Sequence, residues 1–388
     1  MTHIIGAPTL DDALAALSRR VVQTEARREK TLVFCEDSLT LLAERAVLKE
    51  SGATFLTEVT TFARFLSDER RVLSKQGSVA AVSAILSECE GSLACFSANA
   101  AEAVYETVAQ LAASRVGSRE LREGAQKSEG MLRSKLLDLA LILDKYTEFL
   151  HEKALLDENG YLALLPEKLS SGALDGVNVI FFGFTSFTKQ GAEGIRAAVK
   201  YAKSVTGIFP AGKAEYYTNE SARTFRAACE EDPPTVSMAE SSLKGEAETL
   251  RRGIFSPEAF LYPPVQAEQV HLFTAQDESE EARTVCSLIK RYTDGGMRLR
   301  DIAVLVPASS FSVFEKYFSA YRIPYFADVK RPFSRHPFCA FVITVLRAVS
   351  DGGLPASVDA VCANVCFGEG SVYRNYLAKF GGWRGAYK

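Results

Sequence analysis

The chain is short of the residues that usually mark chemistry. Its 388 residues include only four histidines, one tryptophan and four methionines. His3, His151, His271 and His336 stand far apart, so no pair has the spacing that holds a metal. No Gly-x-Ser-x-Gly elbow occurs, and nothing marks a nucleophile–base pair. No catalytic residue and no metal ligand is therefore assigned. Charge of one sign is lacking too. The 45 Lys and Arg against 48 Asp and Glu leave a net charge of −3, which gives no global attraction to nucleic acid. Any contact with DNA has to use local basic clusters. No run approaches the ~18 apolar residues of a membrane span. Asp11 and Asp12 interrupt the N-terminal stretch before it reaches signal-peptide length, so a cytoplasmic chain is expected. The eight cysteines are scattered, which predicts free thiols in a reducing compartment. Cys362-x₃-Cys366 is a lone pair, where zinc or an iron–sulfur centre needs about four ligands.

What the chain does have is an ordinary globular balance, 47% hydrophobic and 24% charged, at a length that suits two or three domains. Thr31–Cys35 (TLVFC) reads as a buried strand. Ser38–Glu50 has helical spacing with Ser38 as its N-cap, and Gly52 ends that helix. Thr54–Val59 is a second strand, so a parallel α/β sheet begins here. From about Leu73 to Leu169 the pattern is helical, at Val79–Cys89, Ala98–Arg115 and Leu132–Glu152. Strand signal returns at Val177–Phe182 and Ser204–Phe209, around a helix at Lys189–Ala202. Residues 231–269 carry five prolines and read as a surface connection. A second α/β unit is expected next. Its strands are Val270–Thr274, Ile302–Val306 and a short one from Pro324 to Phe326; its helices are Glu278–Tyr292, Ser312–Tyr321 and Phe338–Val349. The Gly-rich tail from Asp351 to Lys388 has little pattern.

Two such units could form a nucleotide-driven motor, but the required groups are missing. Ile4–Thr9 (IIGAPT) sits where a phosphate loop would open the fold, with one glycine and no lysine. Gly207–Lys213 spells GxxxxGK, but Ala214 follows in place of the magnesium-holding hydroxyl, so a strand-end turn is the expected reading. Val177–Phe182 runs into Gly183-Phe184, where a motor needs carboxylates. ATP hydrolysis by this chain is not expected. Acidic pairs such as Asp11–Asp12 and Glu230–Asp232 read as solvated.

Two places suggest nucleic acid. Thr61, Phe62 and Arg64 combine hydroxyl, aromatic and cation, which suits phosphate contact and base stacking. The alternative is a helix cap with Phe62 and Phe65 in the core. Lys330, Arg331, Phe333, Arg335 and His336 share a proline-punctuated loop, which suits a polyanion or is simply solvated.

In order along the chain, TLVFCEDSLTLLAERAVL with TTFARFL, KLLDLALILDKYTEFL, VNVIFFGFTSFTKQ and RDIAVLVPASSFSVFEKYFSAYRIPYFADVKRPFSRHPF resemble AddB/RexB. That family supplies the B subunit of bacterial AddAB (RexAB) helicase–deoxyribonucleases. The resemblance implies an α/β fold of tandem RecA-like parallel sheets with a helical insertion. Residues 1–72 and 171–265 would form the first helicase-like domain, 73–170 the helical insert, 268–350 the start of the second domain, and 351–388 the start of a further insert. It implies contact with single-stranded DNA and with duplex DNA carrying an end, a helicase–nuclease partner of the AddA/RexA type, and a role at double-strand breaks. Phe187 and Lys189 join Thr61, Phe62 and Arg64 as implied DNA contacts. No cofactor is implied in this chain: ATP and Mg²⁺ belong to the partner, and the iron–sulfur cluster to a C-terminal nuclease domain outside these residues. A pure assembly scaffold, or a divergent motor using Gly207–Lys213, are the rival readings.

Overall fold

The structure is a computed structural model that describes residues 1–66, 72–210, 220–230, 232–253, 267–329, 333 and 336–380. The chain divides into a unit from Met1 to His271 and a second from Leu272 to Lys388.

The first unit is built on one parallel sheet. Its strands are β1 (Thr2–Ala7), β2 (Thr31–Cys35), β3 (Thr57–Thr60), β4 (Asn178–Phe182), β5 (Ser204–Pro210) and β6 (Thr235–Met238). Their order across the sheet is β3-β2-β4-β5-β1-β6, and all are parallel. Every residue of β2 and of β4 is buried. That explains their unbroken apolar runs: a parallel sheet is covered on both faces, so its strands show no alternation.

Helices α1 (Leu10–Ala26) and α2 (Thr40–Ser51) cover one face, where Leu17, Val21, Ala43 and Val47 meet Val33, Ile180, Phe182 and Ile208. The other face is covered by α3 (Phe62–Leu66), α10 (Lys189–Tyr201) and α11 (Glu220–Ala228). There Leu66, Ile195, Ala198 and Phe225 meet Phe34, Phe181 and Phe209. Crossovers of a single hand, the rule in parallel sheets, produce this division. Connections running one way along the sheet lie on one face, and those running back lie on the other.

Between β3 and β4 the chain makes a helical excursion: α4 (Lys75–Glu88), α5 (Ala101–Ala113), α6 (Ser118–Gln126), α7 (Gly130–Glu152), α8 (Glu158–Leu162) and α9 (Leu165–Lys168). Val82, Leu86, Val104, Ile142 and Tyr146 form its own core. A bridge between Val72 and Leu156 clasps its two ends. Beyond the clasp, Tyr161, Leu165 and Leu169 belong to the core of the sheet.

Two local expectations change in this unit. Ser38 does not cap α2: Asp37–Leu39 forms a 3₁₀ turn ahead of it, and the Thr40 hydroxyl donates to the Asp37 carbonyl. Gly52 does end α2, at φ 74°. The 231–269 connection is not merely surface chain. It supplies β6, which pairs with β1 at the sheet edge, and helix α12 (Gly245–Gly253). Pro233 and Pro234 precede β6 and leave its ladder intact.

In the second unit, α13 (Glu278–Asp294) and α14 (Phe311–Ala320) pack through Ala282, Cys286, Ile289, Phe314 and Phe318. The strand-like segments at 270–274, 302–306 and 324–326 have no ladder partners among the described residues. Ile302 and Val306 pack on the helices, while Leu305 and Phe326 stand almost fully exposed. Strand propensity becomes a strand only where neighbours pair and pack. The tail expected to be patternless forms α16 (Pro355–Cys362) and α17 (Gly370–Phe380), after α15 (Pro337–Ser350).

Candidate nucleic-acid interface

In a parallel α/β sheet, ligands meet the carboxyl ends of strands, where neighbouring connections leave to opposite faces. Such boundaries group at two places on this sheet. β2 leaves towards α2, and its neighbours β3 and β4 leave towards α3 and α10. β1 leaves towards α1 and its neighbour β5 towards α11.

The first place gathers five of the expected residues. The Thr61 hydroxyl accepts from the Arg64 amide at 3.2 Å, which caps α3. Phe62 is half-buried, and its ring stacks on Phe184 at 5.5 Å and 14° and lies 5.0 Å from Phe34. Cap and core packing are therefore both realised here. The Arg64 guanidinium is exposed and pairs with Asp37 at 2.6 Å. Phe187, half-buried, lies 4.7 Å from Phe184 and crosses Phe181 and Phe209 edge-on. Lys189 opens α10, exposed, next to the exposed hydroxyl residues Thr185, Ser186 and Thr188. The strand ends thus carry two cations, four hydroxyls and two half-buried aromatic rings. That set can grip a phosphate backbone and stack a base.

Gly183 makes the turn at the end of β4. Its φ is +75°, and a Cβ there would collide with Leu39 Cδ1, so the position suits glycine alone. Three other contributors carry no signal of their own in the sequence. Phe184 becomes visible only as the partner of Phe62, and Asp37 only as the partner of Arg64. Lys168 lies over the Phe65 ring at 5.3 Å and donates to the Leu66 carbonyl.

At the second place, two residues, Pro8 and Thr9, join β1 to α1. Asp12 is buried rather than solvated as expected. It exchanges hydrogen bonds with Thr9: the Thr9 hydroxyl donates to Oδ2 at 2.7 Å, and the Asp12 amide donates back at 3.1 Å. The Ser242 amide donates to Oδ1 at 2.9 Å. The legible signal is Thr9-x-x-Asp12, a capping-box spelling. Burial raises the Asp12 pKa, but bonds from Thr9 and Ser242 outweigh it and hold the carboxyl below its ordinary value. The sign follows. A depressed carboxylate pKa stabilises above the unfolded value of about 3.9, and the benefit is lost as pH falls through the folded value. Protection of the Ser242 amide against hydrogen exchange, taken relative to its intrinsic rate, is expected to fall in the wild type as pH drops below the ordinary carboxylate value of about 3.9. In Asp12→Asn that loss of protection should vanish; its persistence would assign the acid step to another group.

Gly207 lies inside β5, paired with Ile4 and Phe181, and a Cβ there would strike the Phe209 ring. Half of the GxxxxGK spelling is therefore sheet interior. Gly212, Lys213 and Ala214 lie outside the described residues. So do Lys330, Arg331 and Arg335 of the second expected patch. Within that patch, Phe333 and His336 are exposed and their rings stack at 6.1 Å and 18°. They belong to the second unit.

All eight cysteines are free. Burial pushes the Cys35 thiol up to about 11 and Cys229 to about 12, so both are inert core groups. No helix among the described residues is long and apolar enough to cross a membrane.

The sequence model of the family described as "ADDB, N-terminal" matches residues 19–239, more than half of the chain. Relatives in three bacteria are named as the B subunit of an ATP-dependent helicase/deoxyribonuclease. That of Listeria monocytogenes serotype 4a is 28% identical over 255 residues, 60% of this chain and 22% of its own. That of Exiguobacterium sibiricum is 27% identical over 248 residues, covering 58% and 21%. That of Bacillus cereus (strain AH187) is 29% identical over 248 residues, covering 57% and 20%. The chain thus spans about a fifth of the length of these relatives. With the matched region running from α1 through β6, the whole of the parallel sheet except β1, this chain belongs to the AddB N-terminal family.

Proposed function

We propose that this chain is the helicase-like, DNA-contacting portion of a helicase–deoxyribonuclease B subunit, and that it does not turn over ATP. It would act in the cytoplasm beside an A-type helicase–nuclease partner at broken DNA ends. ATP and Mg²⁺ would be used by that partner. The observation that carries the reading is what stands at the end of β1. A motor keeps a glycine-rich loop there, whose amides and lysine cradle phosphates. This chain has a two-residue turn, and the buried Asp12 carboxylate puts a negative charge in the first turn of α1. A phosphate approaching it meets like charge. At the end of β4, Gly183 and Phe184 stand in place of magnesium-holding carboxylates.

DNA contact is assigned to the Thr61–Arg64 and Thr185–Lys189 edge, with the second-unit patch as a further contributor. The test is fluorescence anisotropy of labelled single strands with the chain and its helicase–nuclease partner over a salt series. Log K is expected to fall linearly with log salt, by about 0.7 for each phosphate neutralised. Salt-insensitive binding, or none, defeats the assignment.

Two observations favour an assembly scaffold instead: Arg64 already has Asp37 as its counter-ion, and the chain carries no excess of positive charge. Crosslinking of DNA to the partner but never to this chain would decide for that reading.

A further inference from the structure

α3 has five residues, too few to hold a helix by its own hydrogen bonds. Its last carbonyls have no partner within the helix, and the helical insert supplies them. The Lys168 ammonium, at the end of α9, donates to the Leu66 carbonyl and lies over the Phe65 ring at 5.3 Å. The Tyr161 hydroxyl of α8 donates to the Ala63 carbonyl at 3.5 Å.

α10 carries Lys189 at its start, and the same insert holds it within its first two turns. Gln190, buried, donates to the Asn159 carbonyl of α8 at 3.3 Å. Glu193 receives Arg115 from the turn between α5 and α6. The Arg115 Nε lies 3.2 Å from both carboxylate oxygens, and Nη2 donates to Oε2. α8 is in turn tied to the core of the insert. The Asp157 carboxylate caps it through the Gly160 amide at 2.7 Å and accepts from the buried Tyr146 hydroxyl at 3.4 Å. One helical body thus grips the helix of Arg64 and the helix of Lys189. Two cations on separate helices serve one phosphate backbone best when their separation is fixed before binding, since order imposed during binding costs affinity.

We propose that the helical insert sets the spacing of the DNA edge, a role that rests on reading this edge as a DNA contact. Arg115 and Lys168 are its positioning residues: they hold α10 and α3 without touching the strand.

Anisotropy titrations of a labelled single strand over a salt series, with the helicase–nuclease partner present, test this. The variants are Arg115→Glu, Glu193→Arg, the swapped double variant, Lys168→Met and Lys168→Arg. Glu193→Arg adds positive charge one turn from Lys189, so simple attraction to phosphate predicts tighter binding. Positioning predicts binding about fivefold weaker, because two arginines repel where an ion pair held α10. Arg115→Glu should weaken binding about as much, and the swapped pair should return to within about twofold of wild type. Lys168→Met should lose about fivefold in affinity at an unchanged salt slope, and Lys168→Arg should recover it. A slope flattened by about 0.7 would make Lys168 a phosphate contact and overturn its positioning role. Without DNA, the Phe65 amide, bonded to the Thr61 carbonyl, should exchange faster in Lys168→Met while the β4 amides keep their wild-type rates. Glu193→Arg binding as tightly as wild type or tighter, a swap that recovers nothing, or an unchanged Phe65 amide each overturns the positioning role and leaves the DNA reading standing. Wild type that binds no strand removes the reading, and the positioning role with it.

Discussion

Phe181→Ala is expected to lower the stability of the first unit by about 3–5 kcal/mol, the cost of truncating a buried phenylalanine. Phe181 is completely buried in the middle of β4. Its ring touches Phe34 at 5.7 Å, Phe225 at 5.9 Å, Phe62 at 6.2 Å, Phe187 at 6.3 Å and Phe184 at 6.5 Å. Each aromatic pair contributes about 0.5–1.5 kcal/mol beyond the area it buries. The loss is a large share of the roughly 5–15 kcal/mol that holds a domain folded. Urea unfolding read through exchange of the β4 amides measures it. The control is Phe326→Ala in the second unit, where the ring is 92% exposed and the change should stay within about 0.5 kcal/mol. A midpoint that Phe181→Ala leaves unmoved would mean the aromatic group is not the keystone of this face. The variant also removes the floor under Phe62 and Phe187, so DNA affinity is expected to fall even in conditions where the unit stays folded.

The same aromatic group explains which parts of the fold are legible in the sequence. β2, β4 and β5 announce themselves because both of their faces are buried, so five to seven consecutive residues are nearly all apolar. α10 and α13 are equally legible, since each lays a regular apolar stripe on a core. β6 is not: Thr235–Met238 is exposed throughout and follows two prolines, and only its pairing with β1, more than 200 residues away, makes it a strand. The reverse failure is Ile302–Val306. Its residues have every local preference of a strand but no ladder partner among the described residues. Strand order is likewise a property of distant pairings. At the candidate site, residue types are readable and their commitments are not. Thr61-Phe62-Ala63-Arg64 suggests phosphate contact or a capped helix. The choice depends on Phe184 and Asp37, which lie 122 and 27 positions from the residues they engage. Asp12 reads as solvated because the Ser242 amide that helps to bury it comes from the far end of the unit.

The hidden counter-ion of Arg64 gives the sharper test of the interface. Asp37→Asn is expected to raise affinity for single-stranded DNA several-fold at low salt, and Arg64→Gln to lower it about as much. Arg64 and Asp37 are 57% and 78% exposed, and such pairs contribute only about 0–1 kcal/mol to stability, so neither change should disturb the fold. What each does change is the charge offered to a phosphate. In the native pair the guanidinium must leave Asp37 before it can serve DNA, and neutralising Asp37 removes that competition. The double variant should bind like Arg64→Gln alone, because without the cation the carboxylate has little left to oppose. Adding Lys189→Gln should reduce affinity again, by about an order of magnitude in total, and flatten the salt dependence by about 0.7 for each phosphate no longer neutralised. Anisotropy titrations of wild type, the two single variants and the double variant across a salt series, with the helicase–nuclease partner held constant, complete the cycle. A scaffold whose DNA passes elsewhere predicts four superimposable curves. A contact surface at this strand end requires Asp37→Asn and Arg64→Gln to move affinity in opposite directions.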